Sequence, residues 1–370
     1  MRITSTDFLK TNGKIKTVIG VSLPTFRVRL KIGGSVYTDA FNIEEPFDVK
    51  THVFYVPESE LKGETDALLL YRAFKKGKKD LQKKLVLRPE RFADGNELLS
   101  QYDNGVTVKE EKTEELYEGV TYTEFTCEDK NGAPVIFSLV KTDLKNSSLY
   151  IGTPDDGYEN RKVKATIPDM TAAAEKNGKN VLAAVNADFF DIFGDCHPSG
   201  LCVKNGRVIA NENSPRPFVG IKKDGSAVLT DLKESPDILN SLFQAAAGLQ
   251  MIVKDGKIFD YAPLEPFSYV RHPRTAAGIT ENGEVLLLEV DGRIPDHSNG
   301  ASLVDLALFM IKLGARRAVN LDGGGSSAVY TKKGGEHILR TVPADLFFPN
   351  DKLIRKDYNA ILVTAGKIGE

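Results

Sequence analysis

The segment AVNAD at residues 184–188 is nearly repeated as AVNLD at residues 318–322. Each copy follows a stretch of helical composition or spacing, at residues 168–176 and 302–312, that stops at a glycine. The apolar residues of both copies are typical of a short strand. The sequence therefore predicts a helix–strand unit that is used twice.

Polar residues close both of these strands. Because residues two apart in a strand share a face, Asn186 is expected beside Asp188, and Asn320 beside Asp322. If the two strands are neighbours in one sheet, four polar groups converge at one edge. The alternative is that these Asn and Asp side chains only cap turns.

A run of glycine and serine, GGGSS at residues 323–327, follows the second strand. A flexible linker has a similar composition, but this run lies between two apolar strand-like segments, which favours a tight connection. Glycine lets the backbone approach a ligand closely, and consecutive amides can bind an anion. The run is neither a Walker loop nor GxGxxG.

A third polar cluster follows the apolar run at residues 285–290, which is typical of a buried strand. Its exit loop offers Asp291 and Arg293, with Ser298 further along, and Arg274 offers a second guanidinium. A guanidinium pairs with phosphate through its planar fork. The alternative is an ordinary Asp-Gly turn with a surface arginine.

The histidines and cysteines predict neither a triad nor a metal site. His197 follows Cys196 in a loop, where packing is favoured over a metal or redox role because no second ligand pair has suitable spacing. The three cysteines allow at most one disulfide, and Cys196 with Cys202 is the closest pair in sequence.

Turn signals recur after about residue 105 and favour antiparallel sheet. We predict an α+β fold for residues 105–370, with a mixed, largely antiparallel sheet and packed helices. Residues 1–104 contain short strands and few helix signals, which predicts a small, mainly β accessory domain. The turn signals are Asn131-Gly132, Asn205-Gly206, Asp224-Gly225, Asp255-Gly256 and Asn282-Gly283.

The charge of the chain argues against a nucleic-acid partner. The net charge is −2, so no global field attracts the protein to a polyanion. Residues 72–91 carry nine Lys or Arg against two acidic residues, and a solvated surface is favoured over a polyanion site. The longest apolar runs are strand-sized, so no transmembrane segment is expected.

The first twenty residues contain Lys, Asp and Gly where an export signal needs an apolar core. We therefore expect no export signal in this chain. A location outside the cytoplasm would require a leader removed earlier, and the cytoplasm is expected otherwise.

Together, these motifs resemble the phosphodiester glycosidase family over about residues 105–368. The resemblance implies hydrolysis of a sugar 1-phosphodiester, on a glycan or glycopolymer such as those of bacterial cell surfaces, with the polar groups around one cavity. It implies Asp322, Asp188 and Asp291 as catalytic residues. The implied substrate-binding residues are Asn186, Gly200, Arg274, Arg293, Ser298, Gly323, Gly324, Gly325 and Ser326.

Glycosyl–phosphate cleavage passes through an oxocarbenium-like state that a carboxylate stabilises, while the departing phosphate needs little protonation. Asp322 or Asp188 would act as nucleophile or water-activating base. A Ca²⁺ or Mg²⁺ ion between them agrees with the preference of hard cations for carboxylates, although no cation-binding loop is recognised. A non-catalytic module for an anionic glycan, and an adaptor function of residues 72–91, are the alternatives.

Overall fold

The chain divides into two compact units, residues 1–102 with 263–270 and residues 103–262 with 271–370. The computed structural model describes residues 2–11, 14–22, 25–38, 41–44, 49–61, 64–73, 81–87, 106–129, 132–158, 163–190, 196–211, 216–259, 271–294, 296–344 and 354–367.

The first unit contains two four-stranded antiparallel sheets. Leu30, Phe54, Leu69 and Leu87 are fully buried in its apolar core. The strands are β1 (Arg2–Thr11), β2 (Lys14–Ser22), β3 (Thr25–Ile32), β4 (Ser35–Thr38), β5 (Phe41–Glu44), β6 (Val49–Pro57), β7 (Thr65–Ala73) and β8 (Leu81–Leu87). Their orders are β1-β2-β6-β5 and β4-β3-β7-β8.

The basic stretch at residues 72–91 is described in part. Lys83 and Lys84 are exposed on β8, where they are solvated. Its other lysines, Lys75, Lys76, Lys78 and Lys79, lie outside the described residues.

The second unit contains an eight-stranded sheet and two five-stranded sheets. The eight-stranded sheet has the order β20-β19-β23-β21-β22-β11-β10-β9. Its strands are β9 (Val106–Tyr117), β10 (Val120–Asp129), β11 (Pro134–Thr142), β19 (Gln250–Lys254), β20 (Lys257–Ile258), β21 (Arg274–Thr280), β22 (Val285–Val290) and β23 (Ala315–Asn320).

The two five-stranded sheets have the orders β12-β26-β13-β24-β25 and β15-β14-β18-β16-β17. The strands of the first are β12 (Ser147–Gly152), β13 (Val181–Asn186), β24 (Val329–Lys333), β25 (Glu336–Leu339) and β26 (Ala360–Ala365). Those of the second are β14 (Cys202–Lys204), β15 (Arg207–Ala210), β16 (Phe218–Lys222), β17 (Ala227–Thr230) and β18 (Leu242–Ala247).

The main core lies where these three sheets pack against one another. Leu287 of the eight-stranded sheet, Val185 and Ile361 of the first five-stranded sheet, and Val219 of the second are completely buried in one cluster. Burial of apolar side chains between sheet faces is the usual source of stability in sheet-on-sheet proteins.

Two α-helices occur among the described residues, α1 (Ile167–Lys176) and α2 (Leu303–Lys312). Both begin with a capping box, Thr166 with Asp169 and Ser302 with Asp305. Both helices lie where the sequence predicts them, which confirms the two helical segments. Phe309 of α2 stacks on Phe137 with the ring centroids 4.1 Å apart, so α2 covers the outer face of the eight-stranded sheet.

The predicted α+β class with a mixed sheet is wrong. The second unit is mostly β, every strand pairing in its described residues is antiparallel, and the two helices lie outside the main core. The prediction assigned the packing against the sheet to two ten-residue helices. Other sheets cover it instead, and local periodicity does not reveal that one sheet covers another.

The dipeptides that signal turns suit type I′ turns, in which both central residues have positive φ. This is confirmed at Asn205-Gly206 and Asp255-Gly256. At Asp224-Gly225 and Asn282-Gly283 the glycine alone has positive φ. Asn131 lies outside the described residues.

The three cysteines are buried free thiols, so Cys196 and Cys202 form no disulfide. No helix within the described ranges is long and apolar enough to cross a membrane.

Candidate active site

The two repeated segments end in different sheets, so they are not neighbours in one sheet. Their ends nevertheless meet, because Asp322 N donates to Ala187 O at 2.9 Å and Asn186 Nδ2 donates to Asp322 O at 2.6 Å. Asn320 does not join this contact. It pairs with Ala276 of β21, whereas the next residue of β23, Leu321, donates to Thr275.

Asn186 clamps three parts of the second unit together. Its Oδ1 accepts from Thr275 Oγ1 at 2.7 Å and from Ala328 N at 3.2 Å, while its Nδ2 binds the carbonyl of Asp322. The residue is completely buried. With its donors and acceptor engaged inside the protein, Asn186 positions the site, which differs from the predicted substrate contact.

Asp188 is a buried carboxyl held by Asn359. Asn359 Nδ2 donates to Asp188 Oδ2 at 2.9 Å, and Asp188 N donates to Asn359 Oδ1 at 3.0 Å. The other oxygen, Oδ1, has no hydrogen-bond partner among the residues that the structure describes. Burial raises the pKa of Asp188 well above its ordinary value. Asn359, the backbone amide of Ala247 and the charge of Arg216 oppose the increase, and Asp322 adds to it.

Asp322 is the more accessible member of this pair, 9% exposed against 2% for Asp188. Its Oδ1 accepts from Gly323 N at 2.8 Å. Burial raises the pKa of Asp322, while Ser326, the Gly323 amide and the charge of Arg355 oppose the increase. Because the charge of Asp322 disfavours ionisation of Asp188, we expect Asp188 to retain its proton above the usual range for Asp.

The glycine-rich loop holds Asp322 instead of presenting a row of unoccupied amides. Gly323 N binds the Asp322 carboxyl and Gly324 N donates to Pro273 O at 2.9 Å. Ser326 N and Ser327 N donate to the carbonyls of Gly323 and Gly324. These four amides are thus engaged within the protein, and the predicted anion-binding loop finds no support in them.

Two of the predicted site residues have to be glycine, because neighbouring atoms leave no room for a Cβ. A Cβ at Gly323 would lie 2.8 Å from Pro273 O, and one at Gly200 would lie 2.4 Å from Ala247 Cβ. Gly325 is buried in the single turn Gly324–Ser326, and Ser326 Oγ donates to Asp357 Oδ1 at 2.8 Å. These residues fix the backbone around Asp322.

Asp291 lies at the end of β22 and orients a histidine. His297 Nε2 is 2.6 Å from Asp291 Oδ2, and Val342 N donates to Asp291 Oδ1 at 2.9 Å. Burial raises the pKa of Asp291, opposed by His297 and the Val342 amide. Ser298 Oγ donates to Asp291 O at 2.5 Å and accepts from Ile136 N at 3.1 Å, so the predicted substrate contact Ser298 pins the loop instead.

The two predicted arginines differ in position. Arg274 is buried, and its Nε donates to Ala301 O at 3.4 Å. Arg293 is half-buried, and its Nη2 would lie 3.1 Å from a Cβ at Gly324, so this guanidinium lies against the loop that carries Asp322. Arg293 Nε also donates to His272 Nδ1 at 3.4 Å.

Sequence reasoning missed four residues of the site, namely His297, Asn359, Arg216 and Arg355. His297 is six residues from Asp291 and in no recognisable motif. Asn359, Arg216 and Arg355 come from segments distant in sequence, and no local pattern connects them with Asp188 or Asp322. The only usable signal was the polar Asn359 directly before the apolar run of β26.

The groups around Asp188 and Asp322 do not fit a hard cation. Ca²⁺ requires six to eight oxygen ligands. Here the two carboxyls receive N–H donors from Asn359 and Gly323, and the charges of Arg216 and Arg355 act on them. No group of three or more His, Cys, Asp or Glu suited to a metal occurs in the described ranges. A Ca²⁺ or Mg²⁺ ion stays a prediction of the sequence.

Glu289 is an additional buried carboxyl on β22, two residues before Asp291. It is 1% exposed, and neither oxygen has a hydrogen-bond partner within the described part of the chain. Burial raises the pKa of Glu289 well above its ordinary value, and the neighbouring Asp291 adds to the increase. Glu289 pairs with Ser138 on one side and Thr275 on the other, so it lies on the sheet face that carries Thr275.

This burial predicts a pH-dependent effect of Glu289→Gln on stability. The folded protein binds the proton of Glu289 more tightly than the unfolded chain does, because the pKa of Glu in an unfolded chain is about 4.3. The stabilisation is complete below that pH and is lost as the pH rises towards the raised pKa of the folded state. Glutamine cannot ionise. We therefore expect the melting temperature of the variant, relative to wild type, to rise steadily from pH 4 to pH 8.

Thermal unfolding between pH 4 and pH 8 measures this difference, and we expect at least about 1 kcal/mol at pH 8, roughly 2–4 °C. Glu336→Gln, at an exposed residue of β25, is the matched control and should show a flat difference. A flat difference for Glu289→Gln as well would mean that Glu289 is solvated or paired.

Residues 179–364, half of the chain, match the family model described as phosphodiester glycosidase. The chain therefore belongs to the phosphodiester glycosidase family. It is 30% identical over 183 residues to the N-acetylglucosamine-1-phosphodiester alpha-N-acetylglucosaminidase of Bos taurus, a match that covers 45% of this chain and 33% of the relative. The enzyme of the same name from Mus musculus is 27% identical over 184 residues, 45% of this chain and 34% of the relative.

The chain thus spans about a third of the length of these curated relatives. Among solved structures, it resembles the catalytic domain of the zebrafish N-acetylglucosamine-1-phosphodiester alpha-N-acetylglucosaminidase, described as auto-inhibited by its pro-peptide. The TM-score is 0.54 at 20% identity, over 70% of this chain and 88% of that chain. This likeness shows a shared fold.

Proposed function

We propose that this protein hydrolyses a sugar 1-phosphodiester at the bond between the anomeric carbon and the phosphate oxygen. The proposal rests on the two buried carboxyls Asp188 and Asp322 at the meeting ends of β13 and β23. Paired carboxyls with perturbed proton affinities are the usual apparatus of glycoside hydrolysis. The activity named for the relatives from Bos taurus and Mus musculus supports N-acetylglucosamine as the sugar.

At the sugar end, Asp322 supplies negative charge to the oxocarbenium-like transition state, because it is the more exposed carboxyl of the pair. Asp188, fixed by Asn359 and more deeply buried than Asp322, is the carboxyl that keeps its proton. The Gly323 amide and Arg355 favour the ionised form of Asp322, which this step needs.

At the phosphate end, Arg293 and Arg355 supply the positive charge. Both are half-buried and lie beside the loop of Asp322, Arg293 against Gly324 and Arg355 with its Nη1 3.5 Å from Ser326 Oγ. Guanidinium groups at a partly desolvated site stabilise a departing phosphate strongly. No step is assigned to a metal ion.

The test is hydrolysis of α-N-acetylglucosamine 1-(methyl phosphate) in ¹⁸O-enriched water. We expect N-acetylglucosamine and methyl phosphate, with the ¹⁸O in the sugar. Label in the phosphate would indicate phosphorus–oxygen cleavage and overturn the assigned bond. Binding by calorimetry without product over a long incubation would instead identify a non-catalytic module for an anionic glycan.

A further inference from the structure

The proposed function assigns no role to one pair of titratable residues, Asp291 and His297. The imidazole is held at one nitrogen by a carboxyl whose own two oxygens are both engaged, by His297 Nε2 and Val342 N. Because a carboxyl oxygen 2.6 Å from a ring nitrogen requires a proton between them, Nε2 is engaged in a hydrogen bond with Asp291. The orientation of the ring is therefore fixed.

The other ring nitrogen is available for chemistry. His297 Nδ1 has no hydrogen-bond partner in the part of the chain that the structure describes, and the side chain is 37% exposed. The combination of one nitrogen anchored to a buried carboxyl and the other turned to solvent is the arrangement of a general acid or base.

A tight turn brings His297 back over the end of β22. Its amide and that of Ser298 donate to Ile294 O at 2.8 and 2.7 Å, and Ser298 Oγ ties the turn to Asp291 O. Arg293, at the start of the same turn, has its guanidinium against Gly324 in the loop of Asp322. Arg293, the guanidinium assigned to the phosphate, thus links this turn to the loop of Asp322.

We propose that His297, held by Asp291, donates the proton that the departing phosphate takes up, which revises the expectation from sequence that this leaving group needs little protonation. This inference rests on the proposed function and adds a catalytic residue to it. Imidazole is the side-chain group that changes charge between about pH 5 and 8, and a phosphate monoester takes up its second proton near about pH 6. An imidazole is therefore a chemically suitable proton donor to a phosphate oxygen.

The step balances without a further reactant. The bond between C1 and the phosphate oxygen breaks, and its electron pair stays on that oxygen. The proton of His297 Nδ1 passes to the phosphate, water adds to C1, and the proton released by this water passes to Asp322. Solvent then restores the proton of His297 and removes the one on Asp322, which leaves free sugar and phosphate monoester.

The test is His297→Ala with and without added imidazole, in the assay on α-N-acetylglucosamine 1-(methyl phosphate). We expect kcat/KM to fall by about 10²-fold, and free imidazole to restore part of it saturably, because it can occupy the space left by an exposed side chain. His337→Gln is the control and should keep wild-type turnover, since His337 lies on β25 and contacts Glu175 of α1.

The outcomes separate this inference from the proposed function. A wild-type protein without turnover overturns both. A wild-type protein with turnover, accompanied by His297→Ala that is as active as the control, overturns the role of His297 alone. A loss that imidazole does not restore, with a melting temperature below that of the control, assigns His297 a structural part and also overturns the proposal.

Discussion

Replacement of Asp322 by asparagine is expected to lower kcat/KM for α-N-acetylglucosamine 1-(methyl phosphate) by about 10³-fold, within the range typical of lost acid–base or charge stabilisation. The amide keeps the size of the side chain and can still accept from Gly323 N. It cannot supply negative charge to the sugar or take a proton from water. The chemistry is therefore lost while the shape of the site is kept.

The same variant is expected to be at least as stable as wild type at pH 7. Burial raises the pKa of Asp322, so the stability linked to its proton is present below the unfolded pKa of about 3.9 and is lost as the pH rises. Asparagine does not ionise, so the variant does not lose stability in this way as the pH rises. Kinetics and thermal unfolding on one preparation separate the two effects.

Asp305→Asn is the matched control for Asp322→Asn, because Asp305 is also buried but belongs to the capping box of α2. It is expected to lose about 1 kcal/mol of stability and to retain turnover. Wild-type turnover by Asp322→Asn, or an equal loss by the control, would remove Asp322 from the proposed mechanism.

The second large effect is expected from Asn186→Ala, and it concerns stability. The change leaves the Ala328 amide and the Asp322 carbonyl buried without their partner, and removes one of the two acceptors near Thr275 Oγ1. Each buried unpaired group costs about 1–3 kcal/mol, so we expect a total loss of about 3–5 kcal/mol. Thermal and urea unfolding measure it.

This experiment also decides between the sequence interpretation of Asn186 and the structural one. A residue that contacts substrate would raise KM with little change in melting temperature. A clamp lowers the melting temperature by roughly 10 °C, at about 2–4 °C per kcal/mol. Asn146→Ala is the control, since the side chain of Asn146 makes no hydrogen bond with any described residue and should leave unfolding unchanged.

Both helices were predictable because their signals are local. The capping boxes at Thr166 and Ser302 and the glycines that follow each helix lie within a few turns of the segment they define. The packing of three sheets on one core was not predictable in this way. Contacts such as that of Val185 with the facing sheet depend on residues far along the chain, and a run of apolar residues does not say what will cover it.

The polar residues of the site were found more readily than their roles. Asn186 was recognised as a polar residue at a strand end, but its three partners are 89, 136 and 142 residues away. The turn at residues 294–298 brings His297 to Asp291. It contains no glycine or recognised motif from which a turn could be predicted. Residue type therefore indicated chemistry, whereas the tertiary contacts determined which groups position and which react.

The close backbone contacts at Gly200 and Gly323 have a consequence for engineering the substrate range. A side chain at Gly200 would displace Ala247, and one at Gly323 would displace the carbonyl of Pro273. These two positions are therefore unsuitable for substitution. Variation in the accepted alcohol has to come from the partly exposed side chains around the site, which are Arg216, Arg293, His297 and Arg355. A saturation library restricted to these positions would sample new leaving groups while the carboxyl pair stays in place.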